Sequence, residues 1–172
     1  HLQEGEFLGK YGVYSIARRD TVHWDLIDSD WGGGGQYAGM PGRISRNLYQ
    51  KGFAGKGWDV LKRNSRYVAH FPYLPQNPRI ETPEQDRSSM PLQISAGAGL
   101  EAIVFGTFGV KMDEDKLTIK PFNHEDIGEA TLTDIVWKGR SFGIQLIRKT
   151  FSVFEGEKLI ATEFYGEEVI IK

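Results

Sequence analysis

Apolar residues recur at helical spacing over much of the chain before Met112 and alternate with polar ones after it. Ile44, Leu48 and Tyr49 share one side of a helix that Pro41 opens near its first position and Gly52 stops. Trp58, Leu61, Ser65 and Val68 mark a second helix, widened by Val60 and Tyr67, with Lys62, Arg63 and Arg66 assigned to its polar side. Phe71-Pro72 is its expected end, since a residue before proline is pushed out of helical geometry. Helix, glycine turn and helix make an αα-hairpin, whose apolar faces need further helices to cover them. Residues Pro72 to Pro91 hold five of the seven prolines and read as an irregular excursion. A third helix is expected from Ile94 to Val110, with Ser95 as N-cap, the small run Ala96-Gly97-Ala98-Gly99, and the apolar series Leu100, Ile103, Val104, Phe105 and Phe108.

After Met112 the pattern predicts six short strands: Lys116 to Lys120, Ala130 to Trp137, Phe142 to Thr150, Phe151 to Phe154, Leu159 to Phe164 and Val169 to Ile171. Phe142, Ile144 and Leu146 alternate as one buried face. Lys138-Gly139 and Glu155-Gly156 are the sharpest hairpin signals, because glycine supplies positive φ. The expected class is α+β: helices first, then antiparallel strands forming a sandwich or a sheet packed on the third helix.

Between these regions and the N-terminus lies Asp30-Trp31-Gly32-Gly33-Gly34-Gly35-Gln36-Tyr37-Ala38-Gly39, preceded by Asp20, His23, Trp24, Asp25 and Asp28. Four consecutive glycines suit a backbone that another surface must approach closely. The indole and phenol beside them offer flat apolar faces next to polar groups, a mixture that fits a sugar ring. Asp28 and Asp30 sit two apart, so an extended segment points both carboxylates to one face at roughly 7 Å. They are the candidates for catalytic base or sugar ligand, since glycoside hydrolysis by inversion places two carboxyls roughly 6.5–9.5 Å apart. Trp31 and Tyr37 are the candidate stacking platforms, Gln36 a polar contact, Asp25 a further sugar ligand and His23 a hydrogen-bonding neighbour. Turn-forming and packing roles are the competing reading of the same residue types. The glycines are contiguous rather than spaced for phosphates, and the acids lack the alternating ligands and closing glutamate of a calcium loop. No metal or cofactor is therefore expected. Glu4 and Glu6 are a second source of cleft carboxylates, and Arg18-Arg19 either contacts an acidic sugar or forms a salt-bridged surface.

The 172 residues carry a net charge of −2 with 40% apolar and 26% charged positions, the make-up of a folded protein. The part before Leu92 has 12 basic and 10 acidic residues and the part after it 9 and 13, so neither presents a nucleic-acid surface by charge. No cysteine is present, which excludes disulfides and thiol chemistry, and no apolar run reaches the roughly 18 residues of a membrane span. His1 in place of an initiator Met implies a removed leader or a piece of a longer protein.

Pro41, Asn47-Leu48-Tyr49, Gly52-Phe53 and Trp58-Asp59-Val60-Leu61-Lys62-Arg63, following a Trp and glycine loop, resemble the final helical hairpin of six-hairpin, (α/α)6-toroid glycosidases. Ser95 to Val110 is similar to the helix that leaves that barrel, and Lys116-Leu117-Thr118-Ile119-Lys120-Pro121 to the first strand of the C-terminal β-sandwich. The resemblance implies residues 1–92 as the end of a toroid with its cleft loop, and 93–172 as linking helix and sandwich. A dozen toroid helices exceed this length. The expectation is accordingly a C-terminal portion of a glycoside hydrolase, inactive alone, with oligo- or polysaccharide and the rest of the parent chain as partners. A non-catalytic carbohydrate-binding or structural module is the alternative. Helix faces left uncovered would favour self-association. The resemblance also favours a periplasmic or extracellular location.

Overall fold

The computed structural model describes residues 2–22, 40–69, 93–124 and 126–172. The chain divides into two compact units, His1–Ala102 and Ile103–Lys172.

In the first unit α1 (Met40–Gln50) and α2 (Ala54–Val68) form the expected αα-hairpin. Gly52, at φ +81°, ends α1: its N–H bonds to the Tyr49 carbonyl while the Phe53 N–H reaches back to Leu48. That pair of bonds is the Schellman arrangement, which satisfies carbonyls the helix leaves open and requires a left-handed residue. Helix packing here works through small residues. Ser45 is fully buried and donates to the Gly57 carbonyl at 2.8 Å, where α1 meets α2. Tyr49, Val60, Leu61 and Tyr67 fill the remainder of that buried face.

The third helix differs from the expected Ile94 to Val110. α3 (Gln93–Glu101) starts two residues before Ser95, which lies inside the helix rather than capping it. It passes into a π-helical turn, Ala102–Thr107, where the Phe108 N–H bonds to the Ile103 carbonyl five residues back. Gly109, at φ +62°, closes the turn, and Val110 belongs to a strand. α1 packs on α3 with Gly42 set against Ala98 and Gly99, so the stretch of small residues in α3 is an approach surface for another backbone. The excursion from Pro72 to Pro91 and the Phe71-Pro72 stop lie outside the described residues.

Residues 2–22 make no regular element, yet Tyr11, Val13 and Tyr14 are buried. Backbone bonds from Tyr14 to Phe7 and from Arg18 to Glu6 fold this segment on itself.

Among the described residues the second unit is a sandwich of seven strands rather than six. β1 (Val110–Met112), β2 (Leu117–Ile119) and β7 (Val169–Ile171) form one antiparallel sheet in the order β1-β2-β7. β3 (Glu129–Trp137), β4 (Arg140–Ile147), β5 (Thr150–Glu155) and β6 (Lys158–Phe164) form the other as a meander. The two sheets share one core in which Leu117, Ile119 and Val110 join Phe142, Ile144, Leu146, Phe151 and Val153. Alternation of Phe142, Ile144 and Leu146 toward that core is the physical basis of β4.

Lys138-Gly139 links β3 and β4 with φ of +50° and +74°, the signature of a type I′ turn. Gly156 has positive φ between β5 and β6, as a two-residue hairpin with glycine first requires. The expected strand from Phe142 to Thr150 is broken at Arg148-Lys149, where Ile147 pairs with Thr150 and Arg148 adopts φ +44° without a glycine. Asp134, at φ +61°, marks the bulge that interrupts β3 between Leu132 and Ile135. Trp137 donates its indole N–H to the Asp113 carbonyl at 3.0 Å, tying β3 to the loop after β1.

Candidate functional site

Asp28, Asp30, Trp31, Gln36, Tyr37, His23 and Asp25 all lie outside the described residues. The described chain brackets them, ending at Val22 on one side and resuming at Met40, the first residue of α1, on the other.

Where the N-terminal segment meets α2, a polar arrangement is centred on Arg63 of the helix. The side chain, assigned to the polar side of α2, is only 14% exposed because polar groups of residues 4–9 cover it. Its Nε donates to Asp59 at 3.0 Å, one turn earlier on the helix. Nη1 donates to the Gly9 carbonyl at 2.7 Å and Nη2 to Glu4 at 2.9 Å. Burial alone disfavours the cation, but the hydrogen bonds and charges of Glu4 and Asp59 outweigh it and hold the guanidinium above its already high ordinary pKa. Arg63 therefore clamps residues 4–9 onto α2.

The two candidate acids near the N-terminus are both ion-paired. Glu4 meets Arg63, and Glu6, 14% exposed, meets Arg19 at 2.9 Å. Arg19 pairs with Glu6, and Arg18 lines a cleft of about 440 Å³. Lys10, Arg18, Arg63 and Arg66 stand on the walls of that cleft together with Glu4 and Tyr14. A second polar cleft, of about 460 Å³, lies along α1 between Arg43, Asn47 and Gln50, and the Arg46–Glu101 ion pair of 2.6 Å borders it.

In the second unit Arg140 makes a bidentate contact, its Nε and Nη2 reaching the two oxygens of Glu155 at 2.7 and 3.0 Å across the sheet. The Arg140 bonds hold the Glu155 carboxyl below its ordinary range. This is a bidentate surface pair beside the β3–β4 turn, and it accounts for both groups structurally. Among the described residues no three His, Cys, Asp or Glu side chains gather as metal ligands would. No described helix is long and apolar enough to cross a membrane.

A solved chain described as "Putative kojibiose phosphorylase from human microbiome" matches this fold over 78% of the chain, with a TM-score of 0.54 and 13% sequence identity. The match covers 19% of that larger chain, so this protein spans about a fifth of its length. The α+β arrangement of helices followed by two antiparallel sheets is the fold of part of that enzyme. No protein-family model and no curated protein matches the sequence.

Sequence reasoning missed Arg63. Its i,i+4 relation to Asp59 was readable as a helix pair. Nothing local announces that Glu4 and the Gly9 carbonyl arrive at the same guanidinium.

Proposed function

We propose that this chain is the C-terminal portion of a glycosidic-bond-cleaving enzyme of the glycoside hydrolase kind, supplying one wall of a carbohydrate cleft and a structural β domain. Supporting this reading is the fold likeness, over 78% of the chain, to part of a protein described as a kojibiose phosphorylase. Trp31 and Tyr37 would stack on a sugar, Asp28 or Asp30 would act as base or sugar ligand, and Gln36, Asp25 and His23 would order the polar contacts. The acid that completes the pair belongs to another part of the parent chain, which would also cover Phe53 and Leu100, apolar side chains exposed on the helical unit. The chain alone is inactive in this reading, since both carboxyls must be held in register.

Titrating a neutral oligosaccharide into the parent protein and its Trp31→Ala variant tests the reading. A stacking indole loses about 1–3 kcal/mol of binding, taking base–aromatic stacking as the scale, with the melting temperature little changed. A core indole instead loses roughly 3–5 kcal/mol of stability with affinity per folded molecule intact, and that outcome rejects the loop as the site. Turnover of aryl-glycosides by the 172-residue chain alone, abolished by Asp28→Asn or Asp30→Asn, would reject the division of the active site between two parts of the parent.

A further inference from the structure

We propose that the cleft between residues 4–18 and α2 binds the oxyanion of an acidic sugar, a uronate carboxylate or a sugar phosphate. The sugar as carrier rests on the carbohydrate reading above; the oxyanion rests on the cleft itself. Its walls carry the cationic side chains Lys10, Arg18, Arg63 and Arg66 and the acid Glu4, and Arg63 is also bonded to Asp59. At about 440 Å³ it falls in the range of small-molecule sites and has room for a monosaccharide.

The decisive group is Arg63. A guanidinium carries five N–H donors. The bonds to Asp59, the Gly9 carbonyl and Glu4 use one hydrogen on each of its three nitrogens. One N–H on Nη1 and one on Nη2 are therefore left for a ligand, on a side chain whose position is already fixed. A fixed guanidinium loses little further rotamer freedom on binding, and its planar donors match carboxylate and phosphate oxygens. Arg66 lies three residues on, one helical turn away, and is solvent-exposed on the same cleft. A carboxylate or phosphate accepts charge-assisted hydrogen bonds from such donors, which a neutral sugar cannot match.

The test is calorimetric titration of the chain with glucuronate, glucose 6-phosphate, inorganic phosphate and glucose. The expected result is binding of at least one acidic sugar, none of glucose, and weakening as salt rises. The Arg18→Gln/Arg66→Gln double variant changes two exposed side chains, so it should melt as the parent does while binding the acidic sugar at least tenfold more weakly. Glucuronate binding without glucose 6-phosphate binding assigns a carboxylate, and the reverse a phosphate. Binding of inorganic phosphate as tight as that of glucose 6-phosphate overturns the sugar as carrier. No binding of either acidic sugar, or equal binding by the double variant, overturns the site. Loss of neutral oligosaccharide binding in Trp31→Ala is a separate readout, and the double variant should leave that binding unchanged.

Discussion

Replacing Gly42 by alanine should destabilise the helical unit, although alanine is the better helix former. A Cβ built on Gly42 falls 2.3 Å from the Ala98 carbonyl carbon, 2.4 Å from its oxygen and 2.6 Å from the Gly99 nitrogen. Unstrained carbon contacts lie at about 3.5–4.0 Å, so α1 and α3 would have to part by on the order of 1 Å. Both colliding groups are backbone and cannot rotate away. Over-packing of this kind costs roughly 1–3 kcal/mol, with the upper end expected here. Alanine's propensity advantage returns at most about 1 kcal/mol, less in a first turn. The net expectation is a loss of about 2 kcal/mol, which for a unit of this size lowers the melting temperature by roughly 10 °C. Gly55, on α2, has nothing within 4 Å of its own built Cβ. Gly55→Ala should therefore raise stability, by up to about 1 kcal/mol. Far-ultraviolet circular dichroism of the two variants during thermal and urea unfolding measures both signs. Gly42→Ala melting at or above the parent temperature would refute the close approach of α1 to α3.

Arg63→Ala should cost roughly 2–3 kcal/mol of stability, mostly because the buried Gly9 carbonyl loses its donor, while the pair with the 78% exposed Glu4 contributes little. Arg63→Lys should recover only part of it, since an ammonium cannot reach three partners in a fork; urea midpoints decide, and a loss below about 0.5 kcal/mol in Arg63→Ala would contradict the clamp. Burial raises the Tyr165 phenol above its ordinary value near 10, with its ring 6.2 Å from that of Phe151. Its folded pKa exceeds its unfolded one, so this contribution is complete below about pH 10 and is lost as pH rises through the folded value. Tyr165→Phe should flatten that alkaline part of the stability profile, and identical profiles for the two proteins above pH 10 would contradict it.

Features set by neighbours along the chain were legible in the sequence. Gly52 stops α1, Lys138-Gly139 turns β3 into β4, and the alternation of Phe142, Ile144 and Leu146 faces the core, because each depends on backbone angles or periodicity within a few residues. The Arg148-Lys149 reversal was hidden because pairing, not a glycine, imposes the positive φ on Arg148. β1 was hidden for a related reason: three residues become a strand only because Leu117–Ile119 lies beside them, held in turn by Val169–Ile171 from the far end of the chain. The aromatic, acidic and glycine-rich loop was visible as composition, whereas the cationic cleft was not. A guanidinium gathers Glu4, Gly9 and Asp59 only when a segment more than fifty residues away in sequence is folded onto its helix. Periodicity and turn chemistry determined the order and kind of elements, since those energies are local. Tertiary structure alone decided which backbones touch at Gly42 and which charges share a cleft, because those energies depend on distances through space.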